Sequence, residues 1–204
     1  MIFNEQNIKG YNVKSLKEAD PKEYLIFIAH SLRYGACHKA KFFMWLDRNN
    51  YEIKEQDEET VNALFKEALS VFKKSLTDDN PEIEFFDQIL YKVFEKTGLF
   101  AEADMIGLSL TLLSFISFKK ELISEEEYLE IRDLLVPYKI MISQCKIKPE
   151  KLFLTYKEII TDSDLQIKLL CKLGKGIVCD LPSDVLVKEA FKEITYDRES
   201  WEKQ

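Results

Sequence analysis

Glycine and proline are scarce, six and five residues in a chain of 204. With 46% hydrophobic and 32% charged content, that balance excludes fibrous and disordered classes and suits a helical globular protein. Positive charge is in the minority: 29 Lys and Arg stand against 36 Asp and Glu, a net charge of −7. No Lys/Arg cluster interleaved with aromatics offsets it, so nucleic acid is not an expected partner. No apolar run reaches the roughly 20 residues that span a bilayer, and no membrane partner is expected. Asn4 and Glu5 stand where a secretory leader would carry a basic and then an apolar stretch, so the expected location is cytoplasmic. Cysteines are few. Cys37, Cys145, Cys171 and Cys179 form no C-x-x-C pair, which excludes a zinc ribbon or a dithiol motif and reads as free, mostly buried thiols.

What is abundant is helical periodicity. Asp20-Pro21 is a start signal, because Asp accepts from free first-turn amides and Pro fits where no amide bond is required. Tyr24, Leu25, Phe27, Ile28 and Leu32 then form an apolar band. A short aromatic helix is expected over 39–47, and from Glu58 the positions Val61, Leu64, Phe65, Ala68, Leu69 and Phe72 repeat at three and four. Pro81 opens a helix lined by Ile83, Phe86, Leu90, Val93 and Phe94, with Gly98 as its left-handed stop. The stretch 101–118 is apolar on nearly all sides and reads as a central, buried helix. Ser124 and Glu127 form a capping box, and Pro137 ends that helix near Val136. Pro149 starts another helix through Ile159, and Ser183 caps a last one with Leu186, Val187, Ala190, Phe191 and Ile194. The only β structure expected is one small hairpin near 167–179, turning at Gly174-Lys175. No repeat or linker divides the chain, so one mainly α, multi-helix domain over 1–204 is expected.

Thr97-Gly98-Leu99-Phe100-Ala101-Glu102-Ala103-Asp104-Met105-Ile106-Gly107 resembles the signature T-G-x-x-x-H-G-E-A-V-A-I-G of dehydroquinate synthase. Other matches follow in order. The stretch 28–35 with Phe42-Phe43-Met44-Trp45-Leu46-Asp47 is similar to the family's A-E-V-I-K-Y-G and the F-F-x-W-L-E helix after it. The stretch 67–74 resembles S-x-E-I-K, and residues 124–135 and 169–178 resemble the S-E-E-E helix and the closing hairpin. The likeness covers about 11–198, the family's carboxy-terminal helical domain.

The resemblance implies a site as well as a fold. In the family one glutamate and two histidines hold zinc, and here those positions are His30, Gln88 and Phe100. Phenylalanine cannot ligate a metal. A further family histidine, a catalytic group, becomes Lys92, an ammonium that would repel a cation. By this resemblance the metal and catalytic motifs are degenerate, and no metal, catalytic residue or cofactor is expected. The nucleotide-binding half that supplies NAD in the family has no counterpart in the likeness, and 1–20 carries no Gly-rich strand-loop-helix. The family's D-K-K motif also has no match in 161–165.

Basic groups survive better. Arg33 and Lys73 stand at family lysines that face the substrate's anionic end, and with Lys92 they make a candidate remnant anion site. Read from the residues alone, Arg33 and Lys73 are solvated helix residues and His30 is a partly buried, hydrogen-bonded histidine. His38 beside Cys37 suggests a nucleophile pair, but neighbours on a helix point about 100° apart. Gly107 marks close packing between helices. Asp104, a carboxylate in a buried helix, either points to solvent or is neutralised by Arg33 or Lys92. Trp201 lies in a polar tail, where it would be placed to anchor on another chain.

Three functional readings follow. The leading one is a catalytically inactive relative of this helical domain, acting as a protein-binding or regulatory module. The second is the helical subunit of a split sugar-phosphate cyclase whose NAD-binding domain is a separate chain. The third is a sensor of phosphorylated small molecules. Expected partners are another protein chain or a second copy of this one.

Overall fold

The computed structural model describes residues 16, 18–77, 80, 82–143, 145–161 and 164–195. Pro81, Trp201 and part of 161–165 lie outside the described residues, as does nearly all of 1–20. Among the described residues there are nine α-helices: α1 (Pro21–His38), α2 (Ala40–Arg48), α3 (Asn50–Lys54), α4 (Glu58–Ser75), α5 (Phe86–Thr97), α6 (Glu102–Lys119), α7 (Glu125–Asp133), α8 (Pro149–Ile159) and α9 (Asp184–Ile194). A 3-10 turn (Val136–Tyr138) and two strands, β1 (Gln166–Lys172) and β2 (Lys175–Asp180), complete them. The strands pair antiparallel, Gln166 opposite Asp180 and Leu169 opposite Ile177. The mainly helical fold with a single small hairpin is as the sequence predicts.

Burial organises the arrangement around α6. Its residues Ile106 to Ser117 are buried without interruption, so this helix has no polar face, and α1, α5, α7, α9 and β1 all pack on it. Each large apolar side chain so buried contributes on the order of 1.5–3 kcal/mol. Three of its hydroxyls are turned back on the helix: Thr111 Oγ1 donates to the Gly107 carbonyl at 2.9 Å, Ser114 Oγ to that of Thr111 at 2.9 Å and Ser117 Oγ to that of Leu113 at 2.8 Å. Ser117 Oγ also accepts the Leu170 amide at 3.0 Å, which ties β1 to the central helix. Among the described residues no helix is long and apolar enough to cross a membrane.

Local signals explain several boundaries. Asp20 Oδ1 accepts from the amides of Lys22 and Glu23 at 2.8 and 3.0 Å, Ser124 and Glu127 form the reciprocal capping box, and Gly98 ends α5 at φ +66°. Three boundaries differ from expectation. The fifth helix begins at Phe86, because the Lys168 amide donates to the Glu84 carbonyl at 2.9 Å and holds that stretch extended beside β1. The seventh ends at Asp133, before Pro137, which sits inside the 3-10 turn instead. The hairpin turns at Leu173-Gly174, with Lys175 already in β2.

Close backbone approach decides two glycines. Gly174, at φ +78°, presses the hairpin turn onto the junction of α1 and α2: its amide donates to the Ala36 carbonyl at 2.7 Å, and a Cβ would collide with Ala40. At Gly107 a Cβ would lie 2.7 Å from the Met141 carbonyl oxygen and collide with the Ile140 side chain. The close neighbour is therefore a loop, not the helix the sequence suggests. Asp104, one turn earlier, accepts the Met141 amide at 3.0 Å; it neither faces solvent alone nor pairs with Arg33 or Lys92, but holds that same loop. Gly107→Ala should destabilise the fold by about 1–3 kcal/mol, despite a helix-propensity gain of up to about 1 kcal/mol. Urea denaturation checks this, and an unchanged or raised midpoint would contradict it.

Candidate functional site

Of the side chains that the sequence singles out, Arg33 and Gln88 meet between α1 and the first turn of α5. Arg33 is buried, 4% exposed, and so is Asp87 at 2%. The guanidinium grips the carboxylate with two bonds, Nε to Oδ2 and Nη2 to Oδ1, the second at 3.1 Å. With its amide oxygen turned inward, Gln88 accepts from Arg33 Nη1 at 3.2 Å and also from Nη2. Burial alone would disfavour the guanidinium charge, yet the Asp87 carboxylate outweighs it and raises the Arg33 pKa. Asp87 is placed by the extended segment beside β1, and in the first turn of α5 its negative charge also suits the helix dipole.

His30 lies one turn before Arg33 on α1 and is 1% exposed. Its Nε2 stands 3.6 Å from Glu102 Oε1 in the first turn of α6. Burial lowers the imidazole pKa to about 4, against a weaker raising influence from Glu102 and a further lowering one from Arg33, so the ring is neutral at pH 7. Contact with His30 in turn holds the Glu102 carboxyl below its usual range, with partial burial opposing it. His30 is thus buried more completely than the partly buried histidine that the sequence suggests.

Phe100 is partly buried at the entry to α6, its ring edge-to-face with that of Phe94 at 5.5 Å and 84°. An aromatic ring in that arrangement is part of the apolar packing. Lys92 is half exposed and pairs with Glu84 at 3.3 Å, a surface contact of little energetic weight. Lys73 is exposed in the last turn of α4. Among the described residues no contact joins Lys73 or Lys92 to Arg33. The reading of Arg33 as a solvated residue is corrected by its burial, whereas that of Lys73 stands. Asp87 is the residue sequence reasoning missed; its position between the apolar Phe86 and Gln88 at the opening of α5 is the signal that was available.

Two further chemistries can be placed. Among the described residues no group of three His, Cys, Asp or Glu side chains converges as a metal-binding cluster. Cys37 is buried, and burial first, then the Asp87 charge, push its thiol well above the usual range; the nucleophilic thiolate is disfavoured there. His38 packs its ring against Tyr34 at 5.8 Å and Phe85 at 5.2 Å.

No family model matches this chain, and no curated protein matches it. Among solved structures, it is similar to ValA, 2-epi-5-epi-valiolone synthase from Streptomyces hygroscopicus subsp. jinggangensis 5008, solved with NAD+ and Zn2+ bound. The TM-score is 0.71 at 11% identity, covering 92% of this chain and 53% of that one. The chain therefore shares its fold with about half of that synthase.

The burial of neutral His30 has a pH signature. Unfolded, its pKa returns to about 6.5; as pH falls from about 6.5 to about 4 the unfolded chain takes up a proton that the folded chain refuses. Stability from this group is complete above that window and falls through it by up to about 3 kcal/mol. Urea unfolding at pH 7 and pH 4 should show a smaller acid loss for His30→Gln than for the parent protein, and equal losses would contradict the assignment.

Proposed function

We propose that this chain is a non-catalytic helical module of the sugar-phosphate cyclase fold, acting by binding another protein or regulating one. The observation that supports it is the Arg33–Asp87 pair, completed by Gln88. At the positions that the family resemblance ties to zinc and substrate, the strongest cation is spent on an internal carboxylate. It has little capacity left for a substrate anion, because displacing Asp87 would strand a buried charge. Phe100 packs on Phe94 where the resemblance has a metal-binding imidazole, and the ammonium of Lys92 lies at a surface ion pair with Glu84.

Binding by surface contact asks for different features. Leu99, Leu154 and Val185 stand 68%, 63% and 76% exposed. The last two flank the Lys157–Asp184 ion pair that joins α8 to α9, so this helix pair offers apolar and charged groups side by side, as binding surfaces do. The split-enzyme reading has no comparable contact in its favour.

The test is metal content together with turnover. Purified after expression with excess zinc, the protein should carry far less than one equivalent of zinc per chain, and it should not cyclise a phosphorylated seven-carbon sugar acid when NAD is added. A stoichiometric, tightly held zinc or measurable cyclisation would overturn the proposal.

A further inference from the structure

A separate cleft of about 510 Å³ opens where the hairpin turn meets the ends of α1 and α4. Lys74, Lys168, Lys172 and Lys175 line it, with Asn80 and the backbone of the hairpin. Four lysines thus line one cavity in a chain whose net charge is −7, and among the described residues no Asp or Glu lines it.

Three of these lysines sit where charge is costly. Lys168 is 5% exposed in the middle of β1. Its Nζ donates to the Asn80 carbonyl at 2.7 Å and lies 6.0 Å from the Phe85 ring centre, and among the described residues no carboxylate pairs with it. An ammonium has three donors, and a buried one is ordinarily balanced by an anion. Lys172 and Lys175 are directly opposite in the strand register, where like charges weaken a hairpin. The fold nonetheless holds this turn firmly: Glu127 Oε1 accepts the Leu173 amide at 3.2 Å, and Gly174 is bonded to Ala36. Mutual repulsion is thereby kept in place rather than relieved.

We infer that this cleft binds a phosphoryl group carried by a small molecule. Several ammonium donors around one cavity match the several oxygens and multiple charge of a phosphate better than a single carboxylate, and lysine is a common phosphate ligand. The cavity has the size of a small-ligand site, while the chain's overall negative charge opposes the approach of a long polyanion. Gly176 lets the Phe85 ring pack against the hairpin, since a Cβ there would collide with it. Val178, opposite Lys168 in the strand register, offers an apolar contact for the rest of the ligand. None of these residues is a position that the family resemblance ties to substrate, so the inference holds whether or not the chain is catalytic.

Titration calorimetry of the full chain with inorganic pyrophosphate, at about 0.1 M salt to screen long-range attraction, tests it. Saturable binding at one equivalent is expected. The Lys172→Gln/Lys175→Gln variant, altered only at exposed positions, should bind at least about tenfold more weakly. Lys146→Gln/Lys151→Gln, equally exposed but outside the cleft, should bind as the parent does. Titration of Lys168→Met, with circular dichroism to confirm its fold, should show a comparable loss. Absence of saturable binding, undiminished affinity in the hairpin variant, or an equal loss in the control pair would overturn the inference, the last by reducing it to net charge.

Discussion

A guanidinium buried between helices has one tolerable arrangement, and the structure around α1 and α5 is built to provide it. Arg33 cannot lose its proton, so its charge must be met within the fold. Asp87 meets it with two bonds and Gln88 adds acceptors. That requirement fixes where α5 may begin, and the register of β1, through the Lys168 amide and the Glu84 carbonyl, sets that starting point. The same pair biases its neighbours. It adds a positive charge beside His30, which burial already keeps neutral, and a negative charge beside Cys37, which burial already keeps as a thiol.

The hairpin is the second organising element, because it is bonded to three helices at once. Ser117 of α6 holds its first strand, Glu127 of α7 its turn, and Ala36 of α1 receives Gly174. A two-stranded ribbon alone is marginal in water; here it is an anchored platform. Its anchoring brings the lysines of β1 and β2 against the end of α4, a convergence that follows from three separate attachments rather than from any local motif.

Much of the fold is legible in the sequence because its signals are local. The Asp20-Pro21 start, the Ser124/Glu127 box, the Gly98 stop and the unbroken apolar stretch of α6 each act within a few residues, and each is found in place. The candidate site is less legible, since its decisive partners are distant in sequence: Arg33 and Asp87 are separated by 54 residues, and Asp104 serves a loop 37 residues away. Resemblance names positions, but it does not say that a neighbouring Asp has taken up the charge of an Arg. Lys168 carried a sign that periodicity alone could show, a lysine inside the buried run Ile167 to Leu170, though its meaning depends on the cleft that tertiary packing creates.

The central claim is that Arg33 and Asp87 form one internal unit rather than the remains of an open binding site. A double-mutant cycle on stability, with Arg33→Met and Asp87→Leu, tests it most directly. Each single replacement strands a buried charge and should cost about 3–5 kcal/mol, while the double replacement should recover most of that loss, because an apolar pair needs no counter-charge. Single replacements that are each nearly neutral, or losses that simply add in the double variant, would contradict the account.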